Sequence, residues 1–296
     1  MIPTSPLTDE KAQLLADKAL AIRQSIIEML IEARSGHTAG PLDMADVFSY
    51  LFFHALKIDP KKPDWPYRDR LVLSNGHICP VLYATMAHAG YFSLDELKTL
   101  RKFGSKLQGH PHRDFLPALE TSSGPLGSGL SQAVGMALGD RIDFGKTSGK
   151  QFVCLTSDGE LDCGQIWEAV MLAGKEKLQN LTVFVDRNSI QIDGFTEDIM
   201  PLNPLADKWR AFNWHVQEID GHNFRAIDGA WTQAQSVFDR PSVIICYTIA
   251  SKGIPEFERQ YEWHGKPPTT PVEVETARAA LHIVRTMGGK VRGEHE

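Results

Sequence analysis

Short apolar runs, separated by stretches with helical periodicity, are the feature that most limits how this chain can fold. Each run is long enough for one buried strand and too short for a core helix. Because a helix-length segment lies between successive runs, the strands cannot pair through tight turns and must be joined by crossovers. This alternation predicts an α/β fold with a mainly parallel central sheet and helices on both faces. The predicted strands cover residues 70–74, 151–156, 181–186, 214–219 and 242–249.

The segments between these strands show where helices and loops should lie. Apolar residues from Thr8 to about Arg34 recur at helical spacing, and Ser35-Gly-His37 ends that helix. Prolines interrupt residues 59–66, which are therefore predicted to be a surface loop. Residues 104–129 are rich in Gly, Pro, His and Ser without periodicity, as is typical of a functional or disordered stretch. Further helices are predicted over residues 43–56, 130–140 and 164–177, and from His77 to about Ala89.

The composition excludes several classes of protein. The net charge of −6 and the scattered basic residues argue against nucleic-acid binding. The longest apolar runs are too short to cross a bilayer, and the N-terminus does not resemble a signal peptide. No repeat or linker divides the chain, so residues 1–287 are expected to form a single domain, with a flexible polar tail over 288–296. Four cysteines without CxxC spacing predict a reduced, cytoplasmic protein: Cys79, Cys154, Cys163 and Cys246.

An acidic turn follows the strand predicted over residues 151–156. Asp158 and Gly159 lie at its carboxyl end, and Asp186-Arg-Asn188 follows the next strand in the same way. If the two strands are neighbours in a right-handed βαβ unit, Asp158 and Asn188 converge where open parallel sheets bind ligands. One carboxylate and one amide oxygen form part of a hard-oxygen cage, which suits Mg²⁺ together with phosphate oxygens. Alternatively, Asp158 caps a helix and Asn188 only makes a turn.

Motifs around these turns resemble those of one enzyme family. The block Ser157-Asp-Gly-Glu-Leu-Asp-Cys-Gly164, continued by Asp186-Arg-Asn188 and Gln191-Ile-Asp-Gly194, resembles the thiamine-diphosphate motif of transketolases. Four further blocks match that family in order, and the resemblance runs from about residue 10 to residue 270. They are Ser35-Gly-His-Thr-Ala-Gly-Pro41, Leu73-Ser-Asn-Gly-His77, Gly109-His-Pro111 with Gly124-Pro-Leu-Gly-Ser-Gly129, and Trp263-His-Gly265.

The resemblance implies a thiamine-diphosphate-binding fold, namely the diphosphate-binding domain, with thiamine diphosphate as cofactor. In the family, a divalent metal bridges the diphosphate: Mg²⁺, with Ca²⁺ or Mn²⁺ as substitutes. By position, its ligands here are Asp158, Asn188 and the backbone carbonyl of Ile190. Other cofactor contacts carried over by position are His77, Gly124, Leu126, Gly159, Ile192, Lys252 and His264. For Lys252 a solvated surface position, and for Gly124 and Leu126 a packing turn, are the alternatives.

Four histidines lie in glycine-containing loops that match family blocks. Ketol transfer moves protons on and off oxygens, a task suited to groups that titrate near neutral pH. Imidazoles can also donate hydrogen bonds to a developing alkoxide. The resemblance implies that His37 and His110 contact substrate hydroxyls, and that His77 and His264 lie near both diphosphate and substrate. The remaining histidines are expected to be structural, including His112, which falls outside the matched position.

Two residues depart from the family pattern. Ser157 stands where the family has glycine, a minor change because the side chain is small. Cys163 stands where the family usually has a glutamate that joins a carboxylate network between the two active sites of a dimer. A thiol replaces neither the charge nor the bidentate hydrogen bonding of that glutamate. Cys163 therefore puts in doubt the communication between sites or the cofactor affinity.

The resemblance covers only the first of the three domains of a full-length transketolase. The pyrimidine-binding domain, which supplies the glutamate that activates the cofactor, has no counterpart here. We therefore expect the N-terminal subunit of a split transketolase, which works with a separately encoded pyrimidine-binding subunit in an α₂β₂ assembly. It would transfer a two-carbon ketol unit from a ketose phosphate to an aldose phosphate, as in pentose phosphate metabolism.

Two other functions stay open at this point. The chain could be a non-catalytic homologue that binds cofactor or a partner without turnover, as Cys163 and the missing half suggest. It could also be the α subunit of a thiamine-dependent 2-oxoacid dehydrogenase. The histidine set and the block Gly124–Gly129 disfavour the second alternative, because they belong to sugar chemistry.

Overall fold

A central sheet of parallel strands organises the structure, a computed structural model that describes residues 7–145 and 148–286. The strands are β1 (Arg70–Leu73), β2 (Phe152–Ser157), β3 (Leu181–Arg187), β4 (Ile190–Gln191), β5 (Gly194–Phe195), β6 (His215–Asp220) and β7 (Ser242–Tyr247). Five of them form one sheet in the order β1-β2-β3-β7-β6, and every neighbouring pair is parallel. The short strands β4 and β5 form a separate antiparallel hairpin. The predicted mainly parallel α/β sheet is confirmed.

Helices cover both faces of this sheet. They are α1 (Asp9–Ala33), α2 (Ala39–Asp43), α3 (Ala45–Tyr50), α4 (Cys79–Ala89), α5 (Ser128–Phe144), α6 (Gly164–Glu176), α7 (Thr196–Ile199), α8 (Leu205–Ala211), α9 (Phe224–Gln235) and α10 (Pro271–Thr286). Val153 and Leu155 pack with α1, α3, α4 and α9, whereas Phe152 and Cys154 pack with α5, α6 and α8 on the other face. This alternation is that of a strand buried on both sides. Within the described residues, no helix has the length and apolar character needed to cross a membrane.

Two local features differ from the sequence prediction. The helix predicted over residues 43–56 is divided into α3 and a π-helical turn at Leu51–Ala55, and the separate helix α2 precedes it. The hairpin of β4 and β5 leaves no signal in the sequence, because two-residue strands have no measurable periodicity. Residues 104–127 contain neither helix nor strand, as predicted. The tail predicted over 288–296 lies outside the described residues.

A buried ionic network fixes helices α1 and α3 to the loops after β6 and β7. Asp46 accepts two hydrogen bonds from the Arg23 guanidinium, at 3.0 and 2.6 Å, and contacts His222 Nδ1 at 2.8 Å. Because His222 Nε2 accepts a hydrogen bond from the Ile249 N–H, the ring proton lies on Nδ1 and points to Asp46. Burial opposes ionisation of Asp46, but Arg23 and His222 outweigh it and hold the pKa of this carboxyl well below its usual range.

Asp46→Ala will therefore destabilise the fold. The substitution leaves the Arg23 guanidinium buried without its counter-ion, and breaking a buried pair in this way costs about 3–5 kcal/mol. Chemical denaturation followed by circular dichroism measures the free energy of unfolding. The control is Asp207→Ala, which removes the carboxylate of an exposed pair with Arg210 and should cost less than about 1 kcal/mol. Similar losses for the two variants would contradict the role given to the network.

Candidate active site

The turns after β2 and β3 meet at the carboxyl edge of the sheet. Ser157 and Asp186 are register partners, and the Asp158 N–H donates to the Asp186 carbonyl at 3.0 Å. The buried Asp158 carboxylate accepts hydrogen bonds from the N–H groups of Gly159 (2.8 Å) and Ser189 (2.7 Å). The structure thus brings together the two turns that were predicted to follow neighbouring strands.

Two buried carboxyl groups orient the side chain of Asn188. Its Nδ2 donates to Asp43 Oδ2 at 2.9 Å and to Asp186 Oδ2 at 3.1 Å. Its Oδ1 accepts a hydrogen bond from the Ile190 N–H at 3.1 Å. Burial raises the pKa of Asp186 to about 8, and burial together with the neighbouring Asp186 raises the pKa of Asp43. Because the acids hold the amide nitrogen, the amide oxygen is the atom that Asn188 presents to a ligand.

Arg187 is a neighbour of Asp158 for which the motifs predicted no role. Its buried guanidinium donates from Nη1 to Asp158 Oδ2 at 3.0 Å and to Thr196 Oγ1 at 2.7 Å. Its Nη2 donates to Glu197 at 2.6 Å. Burial raises the pKa of Asp158 to about 6, although Arg187 opposes the shift. Asp158 is therefore mostly ionised at neutral pH, as a metal ligand must be.

The oxygens at this edge fit a divalent cation that is held mainly by phosphate and water. Asp158 supplies a carboxylate, Asn188 an oriented amide oxygen, and the buried Ile190 donates its N–H to that amide oxygen. Mg²⁺ is commonly bound through one or two carboxylates and completes its octahedron with water and phosphate oxygens. Among the described residues, no three His, Cys, Asp or Glu side chains gather as metal ligands.

Glu160 joins three loops beside this turn. Its Oε1 accepts hydrogen bonds from Ser74 Oγ and from the Gly127 N–H, both at 2.6 Å. Its Oε2 accepts a weaker one from the Ser157 N–H at 3.4 Å. Burial raises the pKa of Glu160 to about 7, against the effect of these donors. The carboxyl therefore holds the loop before α5 and the end of β1 against the turn that contains Asp158.

Three of the predicted histidines form a triangle near these turns. The ring centroids of His37 and His77 are 4.9 Å apart, those of His77 and His264 5.3 Å, and those of His37 and His264 5.6 Å. His110 lies across Gly124, where an added Cβ would be 3.7 Å from the His110 ring. At Gly124 φ is +153°, a conformation that favours glycine. The structure thus gathers all four histidines.

Helix α2 links the histidine triangle to the acidic turns. A Cβ at Gly40 would lie 2.6 Å from Ile78 Cγ2 and 3.8 Å from Asp186 Oδ2. Because Ile78 follows His77, the backbone of α2 packs closely against both parts of the site. On the other side, a Cβ at Gly265 would lie 3.3 Å from Ile192 Cδ1 and 3.7 Å from the His37 ring. Ile192 therefore borders the triangle.

Burial keeps the imidazoles of the triangle neutral. It lowers the pKa of His37 to about 4, an effect to which His264 and Arg101 add. Burial also lowers the pKa of His77, strongly, and that of His264. The Nδ1 atoms of His37 and His264 are buried and have no hydrogen-bond partner among the described residues. Because buried polar atoms are normally paired, these nitrogens indicate a site that a ligand completes.

The remaining predicted residues lie in several environments. Leu126 is half-buried in the loop before α5, and Lys252 is buried in the loop after β7. The Lys252 backbone lies beside the Asp43 carboxyl, so the alternative of a solvated surface lysine is wrong. The ring of His112 packs on Phe115 with centroids 4.7 Å apart, and the structural role expected of this histidine stays a prediction.

Cys163 lies at the start of α6, half-buried and next to Gly127. A Cβ at Gly127 would be 3.1 Å from Cys163 Cβ. Burial raises the pKa of the thiol, and the carboxyls of Glu160 and Asp162 raise it further. The thiol is therefore protonated at neutral pH, and this position carries no charge.

Four residues that the motifs did not single out contact predicted site residues or other residues of the motif blocks. Asp43, Glu160 and Arg187 lie within or beside a motif block, so their polar side chains in or near a motif were the available signal. Arg101 lies in the segment between two blocks and left no signal in the sequence.

The fold and the strand ends define the class of the chain: an α/β domain of the thiamine-diphosphate-binding type. Residues 15–286 match the family described as the thiamine diphosphate binding domain of transketolase. The chain belongs to this family, and it is a transketolase chain that carries the cofactor-binding domain. Membership decides against the α subunit of a 2-oxoacid dehydrogenase.

Similar proteins include both short subunits and full-length enzymes. The chain is 45% identical over 239 residues to a 6-deoxy-6-sulfo-D-fructose transketolase subunit of Clostridium sp. (strain MSTE9), covering 81% of this chain and 86% of the relative. It is 37% identical to an apulose-4-phosphate transketolase subunit of Phocaeicola vulgatus, with 92% and 95% covered. The crystal structure of transketolase from Campylobacter jejuni superposes with a TM-score of 0.85 at 35% identity, over 91% of this chain and 43% of that enzyme.

Proposed function

We propose that this chain is one subunit of a two-chain transketolase that uses thiamine diphosphate and Mg²⁺. The observation that carries the proposal is the meeting of two sets of groups at one sheet edge. Asp158 and Asn188 offer oriented oxygens there, and His37, His77 and His264 offer neutral imidazoles. Residues 1–287 would act as a single diphosphate-binding domain.

The acidic turns would hold the diphosphate through the metal. Asp158, the Asn188 amide oxygen and the Ile190 carbonyl would be its protein ligands, with Ca²⁺ or Mn²⁺ as substitutes for Mg²⁺. Arg187 partly offsets the charge of Asp158, and the diphosphate would bring the remaining negative charge that the cation needs. Other groups that would contact the cofactor are His77, Gly124, Leu126, Gly159, Ile192, Lys252 and His264.

The histidines would accept protons from the sugar oxygens and donate hydrogen bonds to them. When bound, thiamine diphosphate supplies the nucleophilic carbon that adds to the ketose carbonyl. A neutral imidazole can accept a proton from a sugar hydroxyl at one nitrogen and donate a hydrogen bond to a developing alkoxide from the other. His37 and His110 would contact the substrate hydroxyls, while His77 and His264 would lie between diphosphate and sugar.

A separate pyrimidine-binding subunit would complete the enzyme. Support comes from two relatives of similar length whose names call them transketolase subunits. We propose an α₂β₂ assembly in the cytoplasm, where the four free thiols of this chain would stay reduced. The names of both relatives specify sugars with an anionic group, sulfo or phosphate. We therefore propose a ketose phosphate, or a similarly anionic ketose, as donor, as in pentose phosphate metabolism.

Reconstitution tests the proposal. The chain is mixed with the pyrimidine-binding subunit encoded nearest to it, with thiamine diphosphate and Mg²⁺, and ketol transfer is followed over a panel of ketose and aldose phosphates. We expect transfer that requires both chains, the cofactor and the metal. Cys163 favours one other candidate, a homologue that binds cofactor without turnover. If calorimetry shows that the cofactor binds but the mixed chains transfer no ketol unit, that result would support this candidate and overturn the proposed activity.

A further inference from the structure

Arg101 joins the two loops that carry His37 and His110. Its Nη1 donates to Ser35 Oγ at 2.7 Å, and its Nη2 donates to the Gly109 carbonyl at 3.4 Å. Ser35 lies two residues before His37, and Gly109 directly precedes His110. One guanidinium therefore spans both histidine loops, which lie far apart in the sequence.

The position of Arg101 is imposed by the fold. Its φ is +59°, in the left-handed region that residues with a side chain rarely adopt, and its N–H donates to the Leu107 carbonyl at 2.9 Å. Its Nε is buried without a hydrogen-bond partner among the described residues. No ion pair involves Arg101 within residues 7–145 and 148–286, so a counter-ion does not explain its place.

The charge of Arg101 acts on both histidines. Besides burial, it contributes to the lowered pKa of His37 and to that of His110. The titratable groups that face His37 are His77, His264, His110 and Arg101. Arg101 alone among these four is a permanent cation, and it is also the charged group that faces His110.

We propose that Arg101 is a positioning residue for ketol transfer: it fixes the loops that carry His37 and His110 relative to each other, and it places a permanent positive charge close to both imidazoles. This inference rests on the proposed function, because substrate contact by the two histidines is part of that function. Within the described residues the Arg101 guanidinium has no carboxylate partner, so its positive charge is not neutralised locally. It can therefore stabilise the negative charge that develops on the sugar oxygens.

The experiment compares three variants in the reconstituted two-chain enzyme. Arg101→Met removes charge and hydrogen bonds, and Arg101→Lys keeps the charge but cannot span both loops. Lys102→Met is the matched control, because it removes a cation from the next residue, which is exposed and paired with Glu32. The readouts are kcat/KM against pH, calorimetric affinity for thiamine diphosphate, and an NMR titration of isotope-labelled histidine.

For Arg101→Met we expect kcat/KM to fall about tenfold, which is less than the loss of about 10²–10³ for a donor that touches the reacting atoms, because Arg101 acts through the two histidine loops. The acid limb of the pH profile should move up by about half a pH unit, because loss of a nearby cation raises a histidine pKa. Arg101→Lys should keep the wild-type limb with an intermediate kcat/KM. Lys102→Met should match the wild type, and cofactor affinity should stay unchanged throughout.

Two results would overturn the inference. One is an acid limb and histidine titrations that do not move in Arg101→Met. The other is a loss explained by weaker cofactor binding or a lower melting temperature, since Arg101 would then only support the fold. If the wild-type pair shows no ketol transfer, the proposed function fails instead. The NMR titration still decides whether Arg101 controls the ionisation of His37 and His110.

Discussion

Asp158→Asn will abolish the Mg²⁺-dependent binding of thiamine diphosphate while leaving the chain folded. The single amide oxygen of the asparagine can still accept a hydrogen bond from the Gly159 or the Ser189 N–H, which bond different oxygens of the Asp158 carboxylate, but the amide offers the metal no charge. Removing a residue that only hydrogen-bonds to a metal ligand typically lowers metal affinity by about 10–100-fold. Removing the charged ligand itself should therefore lower the affinity by more than about 100-fold. Calorimetric titration of the cofactor into the reconstituted enzyme, with and without Mg²⁺, measures this difference.

The fold should survive because Arg187 keeps a counter-ion. After the substitution its Nη2 still pairs with Glu197 and its Nη1 with Thr196. Asp158→Ala should lose cofactor binding equally, with a further loss of stability from the missing hydrogen bonds. The matched control is Asp162→Asn, an exposed carboxylate on the same turn, which should bind the cofactor normally. Unchanged cofactor affinity in Asp158→Asn would show that the metal assignment is wrong.

The sheet was predictable from the sequence because its strands are buried on both faces. Such strands are short, continuous apolar runs, and the runs at 152–157 and 181–187 could be located to within one or two residues. The crossovers between them dictated parallel pairing. Local departures from a regular helix carry no such signal, which is why the π-helical turn at Leu51–Ala55 and the hairpin of β4 and β5 were not predictable.

The candidate site was predictable only in part, because motifs identify the site residues but not the residues that hold them in place. The turns containing Asp158 and Asn188 meet as expected for neighbouring parallel strands. Asp43, however, reaches Asn188 across 145 positions of sequence, and no local pattern reveals such a contact. Arg101 likewise touches Ser35 from 66 positions away. Contacts of this kind depend on how loops pack, which periodicity and spacing do not describe.

His37→Ala will lower kcat/KM for ketol transfer by about 10²–10⁴, the usual contribution of a positioned acid–base group. His37 is neutral, with its Nδ1 buried and unpaired in the part of the chain that the structure describes. It touches the other two rings of the triangle but is not bonded to the turn that contains Asp158. The loss should therefore appear in catalysis, while calorimetric affinity for thiamine diphosphate changes less than about threefold (under 1 kcal/mol).

The matched control for this variant is His88→Ala. His88 is also a half-buried imidazole whose pKa is lowered by burial, but it lies on α4 and bonds Ser25 Oγ through Nε2 at 2.9 Å. Its removal should leave kcat/KM within about threefold of the wild type, because His88 contacts other parts of the fold and not the reacting groups. Equal losses in the two variants would mean that His37 acts through the fold. A loss in His37→Ala alone, with the cofactor still bound, places proton handling at the triangle.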